Sequence, residues 1–285
     1  MRCLKYHWAY QQLIRENLAM YDRFNRHINY LRISVTDRCN FRCEYCMPAE
    51  GLPLKKHDDI LSFNEIYDVV KAGTELGIRK IRITGGEPLV RKDLPVLIKK
   101  LAAIPEIEDI GMTTNGVLLP RYAKQLKAAG LKRVNISLDT LNPEKFRKIT
   151  RIGNLQDVLK GIDAALEAEL IPVKINVVRI PGENEEDEEA IRAFCTKKGL
   201  KLRFIRQMDL RTGEFYAVEG GAGGICQICN RLRLTADGDI VPCLHAGLRY
   251  NIRKLGIKEA YKQALQNKPE KGIGTESHDF SNIGG

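Results

Sequence analysis

From Leu31 to Arg206 the chain alternates short β-branched runs with helix-period segments, and this alternation restricts the fold more than any other property of the sequence. The β-rich runs are Leu31–Val35, Lys80–Thr84, Asp109–Thr113, Arg133–Leu138, Val173–Val178 and Leu200–Arg206. Between them Ser62–Leu76, Lys92–Ile104, Pro120–Ala129, Asn154–Glu169 and Glu185–Lys198 read as helices. Ser62 followed by Glu65 predicts a capping box. Gly77, Gly130 and Gly199 stand where left-handed helix caps belong. Six strands with intervening helices predict an α/β fold built on a parallel sheet, a partial (β/α)6 TIM-like barrel. Ligands of such folds collect at the C-terminal strand ends. Unusual polar chemistry stands there: Cys39 after the first strand, Gly85-Gly86-Glu87-Pro88 after the second, Thr114-Asn115-Gly116 after the third, Asp139 after the fourth and Met208 after the sixth.

Cys39, Cys43 and Cys46 form C-x3-C-x2-C. Three thiolates hold three corners of a [4Fe–4S] cube and leave one iron open, free to bind a small molecule and pass it an electron. A structural iron–sulfur or zinc site is normally closed by a fourth protein ligand. Three packing thiols, or most of a zinc site, are the plain alternatives. Eight cysteines in 285 residues, six of them in two tight groups, point to metal rather than disulfides in a cytoplasmic chain. Cys3 and Cys195 stand apart, the latter as a helix-packing thiol. No run of eighteen apolar residues suggests a membrane span. The net charge of +10 suits an anionic partner. Its even spread and the 7% aromatic content favour a small polyanion over nucleic acid. The acidic run 183–189 reads as a solvated helix start.

After Met208 the rhythm stops. A glycine connector (220–224) leads to Cys226, Cys229 and Cys243, a C-x2-C-x13-C spacing that fits zinc and iron–sulfur equally, with His245 available as a fourth zinc ligand. Arg231 and Arg233 alternate just beyond Cys229, so an extended segment aims both the same way. Two guanidinium forks beside a cluster suit a triphosphate or carboxylate. The expected organisation is an N-terminal extension (1–30), the barrel (31–208) and a small C-terminal auxiliary-cluster domain (209–285) that ends in Gly284-Gly285.

The cysteine motif, with Tyr45 between its last two members, resembles the signature of the radical S-adenosylmethionine enzymes. There the methionine end of S-adenosylmethionine chelates the open iron, and reduction releases a 5′-deoxyadenosyl radical. The wider set YLRISVTDRCNFRCEYCMP, IRKIRITGGEPLVRKDL, TTNG, VNISLDTLNPEKF, CNRLRLTADG and the terminal Gly-Gly resembles the GTP 3′,8-cyclase family of molybdenum cofactor biosynthesis. The resemblance implies a first [4Fe–4S] cluster on Cys39, Cys43 and Cys46. It implies S-adenosylmethionine contacts at Tyr45, Gly85, Gly86, Glu87, Ser137 and Met208. GTP contacts are implied at Arg32, Arg82, Thr113, Lys174, Arg231 and Arg233, the last two also serving catalysis. A second [4Fe–4S] cluster on Cys226, Cys229 and Cys243 would bind the guanine base. The implied reaction takes hydrogen from the ribose C3′ and joins C3′ to guanine C8. Implied partners are a low-potential electron donor, a downstream cyclic pyranopterin monophosphate synthase and a second copy of the chain in a homodimer.

Four departures stand out. Only seventeen residues separate Met208 from Cys226, fewer than the family usually has. Arg206 replaces a usual Glu, Phe280 a common Met, and some twenty N-terminal residues have no counterpart. A shortened cover opens the alternative of a two-cluster radical enzyme acting on another nucleotide or a peptide. A non-catalytic metal-binding protein is the remaining class. In every catalytic reading, the two cysteine groups are expected to face each other across one barrel mouth.

Overall fold

The computed structural model describes residues 21–209, 212–214 and 216–274. The strands are β1 (Tyr30–Ser34), β2 (Lys80–Thr84), β3 (Asp109–Thr114), β4 (Arg133–Ser137), β5 (Lys174–Arg179), β6 (Lys201–Arg206), β7 (Arg231–Leu234), β8 (Asp239–Val241) and β9 (Tyr250–Asn251). The helices are α1 (Phe63–Glu75), α2 (Leu94–Ala102), α3 (Leu119–Ala128), α4 (Pro143–Thr150), α5 (Leu155–Glu167), α6 (Glu188–Lys198), α7 (Ile252–Leu255) and α8 (Ile257–Gln266). One sheet runs β6-β5-β4-β3-β2-β1-β7-β8-β9. The first six strands are parallel neighbours, as the alternation predicts. β7 then adds to β1, also in parallel, and β8 and β9 follow antiparallel. The C-terminal strands therefore extend the barrel sheet directly.

Local signals place the helices. Ser62 caps α1, accepting from the Glu65 amide while the Glu65 carboxylate accepts from the Ser62 amide. Gly199 is the left-handed cap of α6, and Gly77 and Gly130 also adopt positive φ. The short helix α4, absent from the pattern reading, is nucleated by Asn142, whose side chain accepts from the amides of Glu144 and Lys145. The acidic stretch before α6 is solvated and paired, Glu183 with Lys148 and Glu186 with Lys145. Cys195 is buried on α6 as a packing thiol.

The strands carry two kinds of face. Leu31, Ile33, Ile81, Ile83, Ile110, Met112, Val134, Ile136, Ile175, Val177, Phe204, Leu232 and Leu234 are buried in the hydrophobic core. Residues of the opposite parity are mostly polar, Val178 and Ile205 excepted. Register sets Arg233, Arg32, Arg82, Gly111 and Arg133 in one row across β7, β1, β2, β3 and β4. A second row holds Thr113, Asn135 and Lys174, and a third Ser137, Asn176 and Arg203. An apolar outer face against helices, with a cationic inner face, leaves the barrel interior for a polar ligand. Among the described residues no helix is long and apolar enough to cross a membrane. The first twenty residues, Phe280 and the Gly-Gly tail lie outside the described residues.

Candidate active site

The loop after β1 is held from several sides. Phe41 is buried and meets Phe146 edge to face. The amides of Arg42 and Glu44 donate to the carbonyls of Thr150 and Ile149 at the end of α4. Arg151 donates back to the carbonyls of Arg42 and Met47. The Cys46 and Met47 amides both donate to the Cys43 carbonyl, which folds the second and third cysteines into one turn. Cys39, Cys43 and Cys46 consequently line one cavity of about 210 Å³, together with Tyr45, Gly85, Gly86, Glu87, Thr113, Ser137 and Met208. Seven positions that sequence reasoning assigned to cofactor or substrate thus stand beside the first cysteine group.

Three partly exposed thiols gathered on one cavity fit a cluster better than plain packing, for which Cys195 is the fully buried example. Burial pushes Cys39 up to about 11 and Cys46 up to about 12, and Cys43 goes higher still. Negative charge on neighbouring cysteines and on Asp139 adds to the burial at Cys43 and Cys46. Three thiolates in one pocket repel, and a cationic centre reverses that cost.

Gly85 and Gly86 are required by backbone approach. A Cβ on Gly86 would lie 2.2 Å from the Arg38 carbonyl oxygen, and one on Gly85 2.6 Å from that of Thr36. The Gly86 amide donates to Thr36 and the Glu87 amide to Arg38, clamping this turn to the strand leading into Cys39. Glu87 is buried, and its carboxylate accepts from Thr114 Oγ1 at 2.7 Å, the Asn115 amide at 2.7 Å and the Leu89 amide at 3.0 Å. Burial still lifts it to about 7. Tyr45 donates its hydroxyl to Asp139 Oδ2 at 2.7 Å, while Asp139 Oδ1 accepts from the Val178 amide. Asp139 so ties the cysteine loop to the ends of β4 and β5, and burial lifts it to about 6.

The cationic interior centres on Tyr30. Arg82 Nε donates to the Tyr30 hydroxyl at 2.9 Å, and Arg231 stands 5.8 Å from the centre of its ring. Burial alone would raise this phenol, but Arg82 and Arg32 outweigh it and bring it down to about 8. Lys174 falls to about 8 through burial and the charges of Arg203, Arg133 and Arg82. Arg233 falls to about 10 through burial and Arg231. Gly111 gives Arg82 its room, since a Cβ there would meet the guanidinium at 3.0 Å. Arg133 is ion-paired with Asp109. Arg203 on β6 feels Arg82, Tyr30 and Arg231 on the far strands, so the sheet curves round a common interior. Among the described residues the Nε atoms of Arg203 and Arg231 and the Oδ1 atoms of Asn135 and Asn176 are buried with no hydrogen-bond partner. Buried polar atoms left unpaired are rare and point to a ligand. Sequence reasoning missed Tyr30, Arg203, Asn135 and Asn176; their signal is the alternation of polar residues along β1, β4, β5 and β6.

Cys226, Cys229 and Cys243 line a second, smaller cavity with Arg26, Arg231, Arg233 and Lys268. The expectation of one shared mouth is corrected. Cys39 follows the C-terminal end of β1, whereas Cys229 precedes the N-terminal end of its parallel neighbour β7. The groups sit at opposite ends of the five-residue strand β1, which itself rises about 17 Å. The cationic rows lie between them. His245 is buried but does not line the second cavity, so it does not complete a zinc site there. Among the described residues no three Cys, His, Asp or Glu donors converge on a single ion. Cysteines of a cube bind different irons and stand further apart than ligands of one zinc.

The short connection between β6 and β7 folds back on the sheet. Glu219 and Phe204 exchange both backbone hydrogen bonds, and Arg231 donates to the Ala222 carbonyl. Arg206 stacks on Tyr216 at 4.0 Å. A compact turn therefore bridges the open edge of the barrel.

Comparison with known proteins agrees with this architecture. The radical SAM superfamily profile matches residues 33–195. The solved structure of Streptococcus suis SuiB bound to the precursor peptide SuiA superposes with a TM-score of 0.64 over 86% of this chain and 66% of that one; at 15% identity the likeness speaks to fold alone. The chain is 43% identical to the GTP 3′,8-cyclase of Alkaliphilus oremlandii, covering 93% of this chain and 98% of the relative. It is 44% identical to that of Petrotoga mobilis, covering 88% and 94%. The first alignment spans 314 positions against 285 residues here, so the relative carries stretches this chain lacks. A chain so similar along nearly its whole length, with the radical SAM pattern through its barrel, belongs to the GTP 3′,8-cyclase family of the radical SAM superfamily.

Proposed function

We propose that the protein converts GTP to 3′,8-cyclo-7,8-dihydroguanosine 5′-triphosphate, a step of molybdenum cofactor biosynthesis. The observation that carries the reading is the cationic interior between two cysteine triplets, with the Nε atoms of Arg203 and Arg231 buried and, among the described residues, unpaired. A polyphosphate supplies the acceptors those guanidiniums lack. In this reading Cys39, Cys43 and Cys46 hold the first [4Fe–4S] cluster, and Cys226, Cys229 and Cys243 a second that takes the guanine. The chemistry supplied by S-adenosylmethionine on the reduced first cluster is removal of one ribose hydrogen atom.

The chain's own residues position and protect. Tyr45, Ser137 and Met208 line the cavity that receives S-adenosylmethionine, with Gly85 and Gly86 allowing close backbone approach. Arg32, Arg82, Lys174, Arg203, Arg231 and Arg233 neutralise the triphosphate, and Thr113, Asn135 and Asn176 offer polar contacts to the nucleoside. Holding both ends of the nucleotide fixes one hydrogen for abstraction and keeps competing donors away. The low-potential donor, the downstream synthase, a homodimer and a cytoplasmic setting belong to the same reading. The peptide alternative is disfavoured, because a channel lined by so many cations suits a polyanion.

The test is anaerobic turnover of the reconstituted protein with S-adenosylmethionine, dithionite and each of GTP, ATP, GDP and guanosine. GTP is expected to raise 5′-deoxyadenosine formation most and to be consumed in step with it. Equal stimulation by ATP, or by guanosine, would overturn the assignment.

A further inference from the structure

Lys268, just beyond α8, is 2% exposed. Its ammonium donates to the Arg231 carbonyl at 2.9 Å and to the Pro242 carbonyl at 2.5 Å. Arg231 lies two residues after Cys229, and Pro242 immediately precedes Cys243. One buried side chain thus spans the two arms that carry the second cysteine group. Among the described residues no carboxylate pairs with it, whereas the neighbouring Arg26 has Asp22 at 2.6 Å. Arg26 adds a second clamp by donating to the carbonyls of Cys226, Pro269 and Glu270. Lys268 lines the same cavity as the three thiols. A buried ammonium without a paired counter-anion is costly; Asp22 is taken by Arg26, and the sulfurs of Cys229 and Cys243 act on Lys268 more strongly than Asp22 does. Two of its three donors are used on carbonyls, which leaves one.

We propose that Lys268 is a positioning residue for an iron–sulfur cluster on Cys226, Cys229 and Cys243, tying the two cysteine arms together and offsetting the negative charge of the sulfurs; this rests on the two-cluster reading above. Net charge and hydrogen bonds at the sulfurs set a cluster's reduction potential. Removing the cation makes the cluster harder to reduce, and removing the clamp loosens its hold.

The test uses full-length protein reconstituted anaerobically, with iron counting and an EPR-monitored potentiometric titration on wild type, Lys268→Gln and Lys268→Arg. Wild type is expected to carry about eight irons per chain. In Lys268→Gln the second cluster's midpoint shifts to more negative potential, or its irons are lost and the count falls toward about four. The first cluster's signal, still perturbed by added S-adenosylmethionine, reports that the barrel is folded. Lys268→Arg, which keeps the charge, holds its potential near wild type. Lys268→Met, of similar volume, replaces the Gln variant should that chain not fold. A neutral variant with about eight irons and an unmoved potential overturns the role of Lys268 while leaving two clusters standing. A wild type with only about four irons, unaffected by Cys226→Ser, overturns the two-cluster reading itself.

Discussion

The residues with the most constrained chemistry are those whose charge the fold holds against solvent's preference. Glu87 rises to about 7 from an ordinary 4.5, so between those values the native chain binds a proton that the unfolded chain releases. Stability contributed by this group is therefore present at low pH and lost as pH rises toward 7, and Asp139, lifted from 3.8 to about 6, acts in the same sense. Buried His245, held down to about 4, acts in the opposite sense, so the test is a difference: in urea unfolding of the cluster-free protein between pH 4.5 and 7.5, the stability of wild type should drop relative to Glu87→Gln as pH rises. An identical slope in the variant contradicts this account. Arg231→Ala should weaken GTP binding by ~10- to 100-fold, the cost of one charge-assisted contact, as read by calorimetry on the reconstituted protein. Unchanged affinity would remove Arg231 from the binding site. Cys39→Ala should abolish 5′-deoxyadenosine formation. The thiols and Arg231 were legible from spacing alone. Tyr30 and Arg203 were not, because their place in the interior depends on which strands face one another.

Elements were readable wherever local chemistry writes them. The Ser62–Glu65 box, the glycine caps and the six alternating strands all fall where the pattern puts them. Two features that bear on the site escaped, helix α4 and the pairing of β7 with β1. Helix α4 has only eight residues, and its cap at Asn142 sits within a polar run. Strand β7 has four residues, and its partner β1 is some two hundred positions away in sequence, so nothing local announces the pairing. That pairing decides where the second cysteine group lies, and one missed pairing therefore moved a whole site from the mouth to the far end of the barrel. The turn that grips the first cysteine loop makes a sharp prediction. Gly86→Ala sets a methyl against the Arg38 carbonyl, so the 84–87 turn must part from the strand leading into Cys39. First-cluster iron retention should fall, while Ser62→Ala, which only uncaps α1, should cost about 1 kcal/mol of stability and leave iron content intact. Full iron retention in Gly86→Ala would show that the turn does not govern the cysteine loop.

At the scale of the molecule, the fold spends its apolar residues on the outside of the sheet and its cations on the inside. Such an interior has no reason to exist without an anionic occupant, since buried guanidiniums repel and desolvate at a cost. Glu219 pairs with Phe204 on β6 while Ala222 accepts from Arg231 on β7, and Arg203 and Arg231 share one channel. In the proposed reaction a nucleoside triphosphate lies along the strands, with its ribose presented to the cavity of Cys39, Cys43 and Cys46. GTP carrying deuterium at ribose C3′ reads that placement directly. Incubated anaerobically with the reconstituted protein, S-adenosylmethionine and dithionite, it should yield 5′-deoxyadenosine bearing one deuterium, detected by mass spectrometry. Unlabelled 5′-deoxyadenosine, formed at the same rate with or without the nucleotide, would mean that the ribose is elsewhere.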